Sequence, residues 1–230
     1  MHDIIEFLNQ LDTDLFIYLN SLNNDFFDSV FLWVTEKYSW IFLYAIILGL
    51  LFWRYMAVRI GVNPNNDGKS ITFSFKKSYW PWLLLAAVFI GLAVALADQI
   101  SVHLFKNVFQ RLRPSHEPEL AEIVHLPRRK GGLYGFVSGH ATTSFALAWL
   151  SSRIIGLRWY TWTIFIWAVV FSYSRIYIGV HYPGDSIFGA LLGIFLGWML
   201  LRVFMTMGNE WFPALLPEKL RKRKIRNPDD

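Results

Sequence analysis

Apolar positions along this chain fall in long unbroken blocks. Twenty uncharged residues separate Lys77 from Asp98, and 22 separate Lys130 from Arg153. Three further runs of 16 lie between Lys37 and Arg54, Arg158 and Arg175, and Asp185 and Arg202. A bilayer core of about 30 Å takes about 20 helical residues. The 16-residue runs reach that length when terminal Arg and Lys snorkel and flanking Trp and Tyr sit at the interface. The pattern predicts spans at 38–54, 79–105, 138–156, 159–175 and 183–202. Residues 1–36 hold two shorter apolar stretches, Ile4 to Leu22 and Phe26 to Val34, interrupted by acidic residues and Asn. They read as interfacial helices, with room for a sixth span. The expected fold class is all-α: a polytopic membrane helical bundle of five or six transmembrane helices preceded by N-terminal interfacial helices. With no internal repeat and no long linker, 1–230 reads as a single membrane-embedded domain. Residues 1–36 would be interfacial, 37–205 the transmembrane bundle and 206–230 a basic cytoplasmic tail.

Composition agrees with that pattern. Hydrophobic residues make up 54% of the chain, above the ~45–50% of soluble domains. Five apolar runs in 230 residues leave too little polar chain to cover them in a soluble core. The absence of cysteine excludes disulfides, thiolate metal sites and a Cys nucleophile. No cleavable leader is predicted, because the first residues are acidic (Asp3, Glu6, Asp12, Asp14) and no small-residue cleavage site follows an apolar core.

Charge sets an orientation. The loop 54–79, the turn bearing Arg153 and Arg158, and the tail from Arg202 fall on one side and carry 14 of the 22 Lys and Arg. The positive-inside rule makes that side cytoplasmic. The basic tail then meets anionic lipid headgroups and requires no nucleic acid.

Three polar clusters fall on the opposite side. Lys106 to Arg113-Pro114 ends the second span; the two cations are seven residues apart and would share a face if the helix continues. Pro114 argues for the helix ending there. Val137-Ser138-Gly139-His140 opens the third span, with Ser138 as candidate N-cap and free N–H groups for an anion. Ser174-Arg175 to His181 and Asp185 links the fourth and fifth spans; Pro183 suits a first helical turn, and Asp185 lies close enough to orient the His181 imidazole. Phosphate-ester hydrolysis needs fixed cations and N–H donors for the phosphoryl oxygens, a nucleophile and an acid. Each part is present once. Alone, each has a plainer meaning: Lys and Arg near a span end as snorkelling anchors, Ser-Gly-His as a helix cap. Together at three span ends on one face they point to chemistry. Asp98, near the outer end of the second span, is either functional or the partner of a cation such as Arg175. His116 and His125 read as solvated loop residues, and Tyr134 and Phe136 as interface packing or lining of a lipid path.

The clusters resemble the signature of the type 2 phosphatidic acid phosphatase superfamily: K-x6-R-P, P-S-G-H and S-R-x5-H-x3-D, with the resemblance spanning about residues 95–200. Val137 stands where that family usually has proline. The resemblance implies a metal-independent, cofactor-free phosphatase of membrane lipids. It implies that His181 forms a phosphohistidine, Asp185 orients it and His140 protonates the leaving group. It further implies that Lys106, Arg113, Ser138, Gly139 and Arg175 bind the phosphate. An outward-facing site in a bacterial inner membrane favours undecaprenyl pyrophosphate or lipid A phosphate; phosphatidylglycerol phosphate and phosphatidic acid are the alternatives. A vanadate haloperoxidase shares the pocket but is soluble, and a non-enzymatic lipid transporter would need the cations without both histidines.

Overall fold

The computed structural model describes residues 2–56, 80–128 and 130–211. The loop at 57–79 and the tail beyond 211, which carry most of the orienting cations, lie outside the described residues. The chain is all-helical among them. Helices α1 (His2–Ser21) and α2 (Asp25–Val34) precede α3 (Lys37–Met56) and α4 (Trp80–Ile100). The last of these continues through a wide π turn, Ser101–Lys106, and a single turn, α5 (Asn107–Phe109). After an irregular connection come α6 (Gly139–Ile155), α7 (Arg158–Tyr177) and α8 (Pro183–Trp211). The helices start and stop within a few residues of the predicted limits. The main difference is α8, which runs nine residues past 202 and into the stretch assigned to the tail.

Two stretches, Pro81–Phe109 and Pro183–Gly208, have the length and apolarity of a membrane span, and Trp40–Trp53 is a shorter apolar helix. Outward faces of the bundle are strongly apolar: Ile41, Phe42, Trp162, Ile166, Leu191 and Phe195 are all exposed. Such faces suit hydrocarbon and not water. Inside, Leu51, Trp82, Ala93, Leu147, Ile164 and Phe204 belong to one continuous core drawn from five helices.

The tightest seam joins α6 and α8. Gly189, Gly193 and Gly197 recur every fourth residue, so they line one face of α8. A Cβ at Gly189 would sit 2.7 Å from Ser138 O, and one at Gly197 2.9 Å from Ala146 O. At Gly193 it would collide with the Thr142 carbonyl. Backbone therefore meets backbone along the seam, the close approach that small residues four apart allow. Because α7 intervenes as a single return helix, α6 and α8 run parallel, with both N-termini at the same end of the bundle. Gly156, in the left-handed conformation (φ +69°), terminates α6 and starts the return.

The N-terminal helices pack at that same end. Asn20 of α1 donates to Tyr177 O at 2.7 Å and accepts the His125 N–H at 2.8 Å. Asn24 caps α2 by accepting from Phe27 N. His125 is not a solvated loop residue: its Nε2 lies 2.8 Å from Asp28 Oδ1, which also accepts from Tyr177 Oη at 2.7 Å. His116 is half-buried, with its Nε2 3.2 Å from the Gly131 carbonyl.

Replacing Gly193 by Val should force α6 and α8 apart and destabilise the protein by about 1–3 kcal/mol. Gly49→Ala, where a Cβ meets nothing within 4 Å, should be neutral or stabilising by up to about 1 kcal/mol. Thermal unfolding of both variants in detergent checks this; equal melting temperatures would contradict the seam.

Candidate active site

The three polar clusters converge where α4 ends and α6 and α8 begin. The π turn at Ser101–Lys106 widens the helix just before its end and carries Lys106 on its last residue. Lys106 Nζ reaches over the start of α6, 3.5 Å from where a Cβ on Gly139 would stand. Lys106 and Arg113 do not share a helix face as the spacing suggested. The helix stops at Phe109, Gln110 adopts a left-handed conformation (φ 48°), and Arg113 sits on extended backbone. Arg113 is held instead by the returning strand of loop, where its N–H donates to Leu133 O and its Nε to Tyr134 O, both at 3.1 Å. It still lies close enough to Lys106 for their charges to repel.

Ser138 caps α6, accepting the Ala141 N–H at 3.4 Å. Its own N–H donates to the Asp185 carbonyl at 3.0 Å, which fixes the first residue of α6 to the first turn of α8. His140 follows on α6, its ring 5.5 Å from Phe171, within electrostatic reach of Arg175, His181, Lys106 and Arg113.

Ser174 and Arg175 occupy the last turn of α7. The chain then folds back, with the N–H groups of Val180 and His181 both donating to Arg175 O, at 3.1 and 3.2 Å. Gly179 makes that turn possible. Its φ is +75°, and a Cβ there would come within 2.8 Å of the His125 carbonyl. His181 is completely buried, as is Asp185. Nδ1 of His181 lies 3.3 Å from Asp185 Oδ2, which also accepts the Tyr182 N–H at 3.1 Å. Gly135 packs directly on this pair, its Cβ position 2.9 Å from Asp185 Oδ2 and 3.6 Å from His181 Nδ1. The other imidazole nitrogen, Nε2, is buried without a partner, and so is Nε of Arg175. Lys106, Arg113, Ser138, Gly139, His140, Arg175, His181 and Asp185 thus form one constellation. Asp98 stands apart from Arg175, with no ion pair between them among the described residues. It lines a cavity of about 430 Å³ together with His140, Thr35, Tyr44 and Thr143.

The sequence reading missed Arg111, Asp12 and Gly135. Arg111 bridges Asp185 Oδ1 at 3.1 Å and Asp12 Oδ2 at 2.8 Å. No cluster of three or more His, Cys, Asp or Glu that could hold a metal occurs among the described residues.

Burial holds the His181 imidazole well below the ordinary histidine value of 6.5, reinforced by the positive charges of Arg113, Arg175 and Lys106. The neutral ring therefore persists as pH falls past 6.5, and protonation removes the Nε2 lone pair only further down. In the free enzyme kcat/KM, corrected for substrate ionisation, should therefore show no fall as pH drops from about 7 to about 6. A fall centred at the ordinary histidine value would contradict it.

The PAP2 superfamily model matches residues 80–208. A lipid A 4'-phosphatase of Porphyromonas gingivalis is 32% identical over 93% of this chain and 81% of its own length. A second, from Bacteroides thetaiotaomicron, is 34% identical over 85% and 78%. In fold the chain is similar to a transmembrane PAP2 type phosphatidylglycerolphosphate phosphatase from Bacillus subtilis, with a TM-score of 0.56 at 17% identity over 87% of each chain. A match across more than half of the sequence, and two relatives above 30% identity over most of their length, establish that this chain belongs to the PAP2 superfamily.

Proposed function

We propose that this PAP2 lipid phosphatase removes a phosphate from a lipid A-type glycolipid through a phosphohistidine on His181, at the outer face of a bacterial inner membrane. One observation carries the mechanism: Nε2 of His181 is buried and unpartnered while Nδ1 is committed to Asp185. An imidazole held in that tautomer presents its lone pair to phosphorus. Lys106, Arg113, Arg175, the Ser138 hydroxyl and the Gly139 N–H hold the phosphoryl oxygens. Nε2 forms the N–P bond as the P–O bond to the lipid breaks, and protonated His140 gives its proton to the departing oxygen. Water then attacks phosphorus with neutral His140 taking its proton, the N–P bond breaks, and inorganic phosphate leaves. No cofactor or metal enters these steps.

The lipid A 4'-phosphatases aligned along most of this chain support the substrate class. The cavity beside His140 also suits a sugar headgroup, because Thr35, Tyr44, Asp98 and Thr143 offer hydroxyl and carboxylate partners. It shares Tyr44 and Val94 with an apolar cleft of about 380 Å³ lined by Ile47, Leu48, Ala87, Ile90 and Gly91. A lipid standing between α3 and α4 can present its headgroup while its chains remain in hydrocarbon, where each exposed methylene would cost about 0.8 kcal/mol. Undecaprenyl pyrophosphate is the second reading.

The topology that fits best has five spans, α3, α4, α6, α7 and α8. Helices α1 and α2 then lie over the outer end: Asn20 and Asp12 reach the site-side loops, and Ile4, Phe7, Leu8 and Leu11 are exposed for the interface. Residues 1–230 act as one domain, with the basic tail against anionic lipid on the cytoplasmic side.

Purified protein in EDTA should release phosphate from lipid A faster than from undecaprenyl pyrophosphate, phosphatidylglycerol phosphate or phosphatidic acid. His181→Ala should lose turnover and acid-labile phosphate trapping, by about 10⁴-fold or more. Turnover by His181→Ala, or activity that returns only with magnesium, would overturn the mechanism; preference for another lipid would overturn the substrate.

Because the chain has no cysteine, single Cys probes test the orientation. A cysteine at Glu119 should react with an impermeant thiol reagent in spheroplasts, and one at Lys222 should not. The reverse pattern would put the site in the cytoplasm.

A further inference from the structure

Asp185 has two oxygens, and only one faces the histidine. Oδ2 takes His181 Nδ1 and the Tyr182 N–H. Oδ1 takes a terminal nitrogen of Arg111 at 3.1 Å. The other terminal nitrogen of the same guanidinium lies 2.8 Å from Asp12 Oδ2. Asp12 closes the circuit, since its Oδ1 accepts the N–H of Gly184, the residue before Asp185, at 2.7 Å. Gly184 admits the carboxylate so closely that a Cβ would fall 2.7 Å from Asp12 Oδ2. The guanidinium also stacks 4.1 Å over the Tyr182 ring, which packs edge-on against Phe16 of α1 at 5.4 Å. Segments 172 residues apart are thereby tied to one side chain.

We infer that Arg111 and Asp12 are positioning residues of the reaction, a clamp from α1 that sets the rotation of the Asp185 carboxylate and so the aim of His181. Three facts separate this from ordinary packing. Asp185 has no exposed surface, so its charge requires a neutralising cation. Arg111 supplies it through a rigid planar fork whose two terminal nitrogens each reach a different carboxylate. Turning the carboxylate to follow a displaced Arg111 would draw Oδ2 away from Nδ1. The N-terminal helix consequently belongs to the active site, although the phosphate ligands all lie beyond residue 105.

The inference rests on His181 being the nucleophile. It is tested with Arg111→Gln and with Asp12→Asn, whose amide oxygen still accepts the Gly184 N–H. Lipid phosphatase kinetics are measured in the wild-type and Asp185→Asn backgrounds, with competitive inhibition by inorganic phosphate as a report on the phosphate cradle. Arg111→Gln should lower kcat by about a hundredfold and Asp12→Asn by about tenfold. KM and inhibition by inorganic phosphate should change by less than about twofold. In the Asp185→Asn background either change should cost less than about twofold more, because residues acting through one group are not additive. Equal losses in both backgrounds, or a raised KM with unchanged kcat, would overturn the clamp. Should Arg111→Gln not fold, Asp12→Asn alone decides by the same comparison. Activity persisting in His181→Ala would instead overturn the nucleophile, a separate outcome.

Discussion

The contact on which everything else depends is the backbone seam between α6 and α8. Gly189, Gly193 and Gly197 let α8 lie against the carbonyls of Ser138, Thr142 and Ala146. Since the helices are parallel, the seam delivers Ser138, Gly139 and His140 to the same place as His181 and Asp185. The Ser138 N–H to Asp185 carbonyl bond registers one against the other. Two helix N-termini then converge on one pocket, and each contributes partial positive charge there, which suits an anion. Wider spacing would separate Ser138, Gly139 and His140 from His181 and Asp185.

Around that seam the cations come from elements that otherwise touch little. Lys106 closes the π turn that follows α4, Arg113 belongs to the loop, and Arg175 lies in the last turn of α7. Their charges repel one another. A phosphoryl group bound among them would turn that repulsion into attraction and join three segments through one ligand, so occupancy and folding are linked.

Much of this was legible in the sequence. Uncharged runs located the helices, and spacings such as His181 to Asp185 picked out side chains that meet, because both are local properties. What escaped depends on chain direction after a helix ends. Lys106 and Arg113 lost their common face when Gln110 took a left-handed conformation, and that same turn aims Arg111 at Asp185. Arg111 lay unnoticed among the six residues between Lys106 and Arg113. Asp12 looked like an acidic interruption of an apolar stretch; nothing local shows that its partner is Gly184. His125 read as solvated for the same reason, since Asp28 reaches it from another helix. The fourfold glycine spacing was the one visible signal left unused.

The bundle is unevenly filled. At the α6–α8 seam no side chain can grow without moving a carbonyl, whereas a cleft of about 380 Å³ runs between α3 and α4, with Gly91 on its wall and nothing within 4 Å of its Cβ position. Mutational freedom is therefore divided by helix. The seam tolerates almost no drift, which freezes the reaction, while the α3–α4 wall can accept larger or smaller side chains without disturbing a catalytic distance. Descendants of such a scaffold would diversify in the lipids they admit long before they diversify in what they do to them.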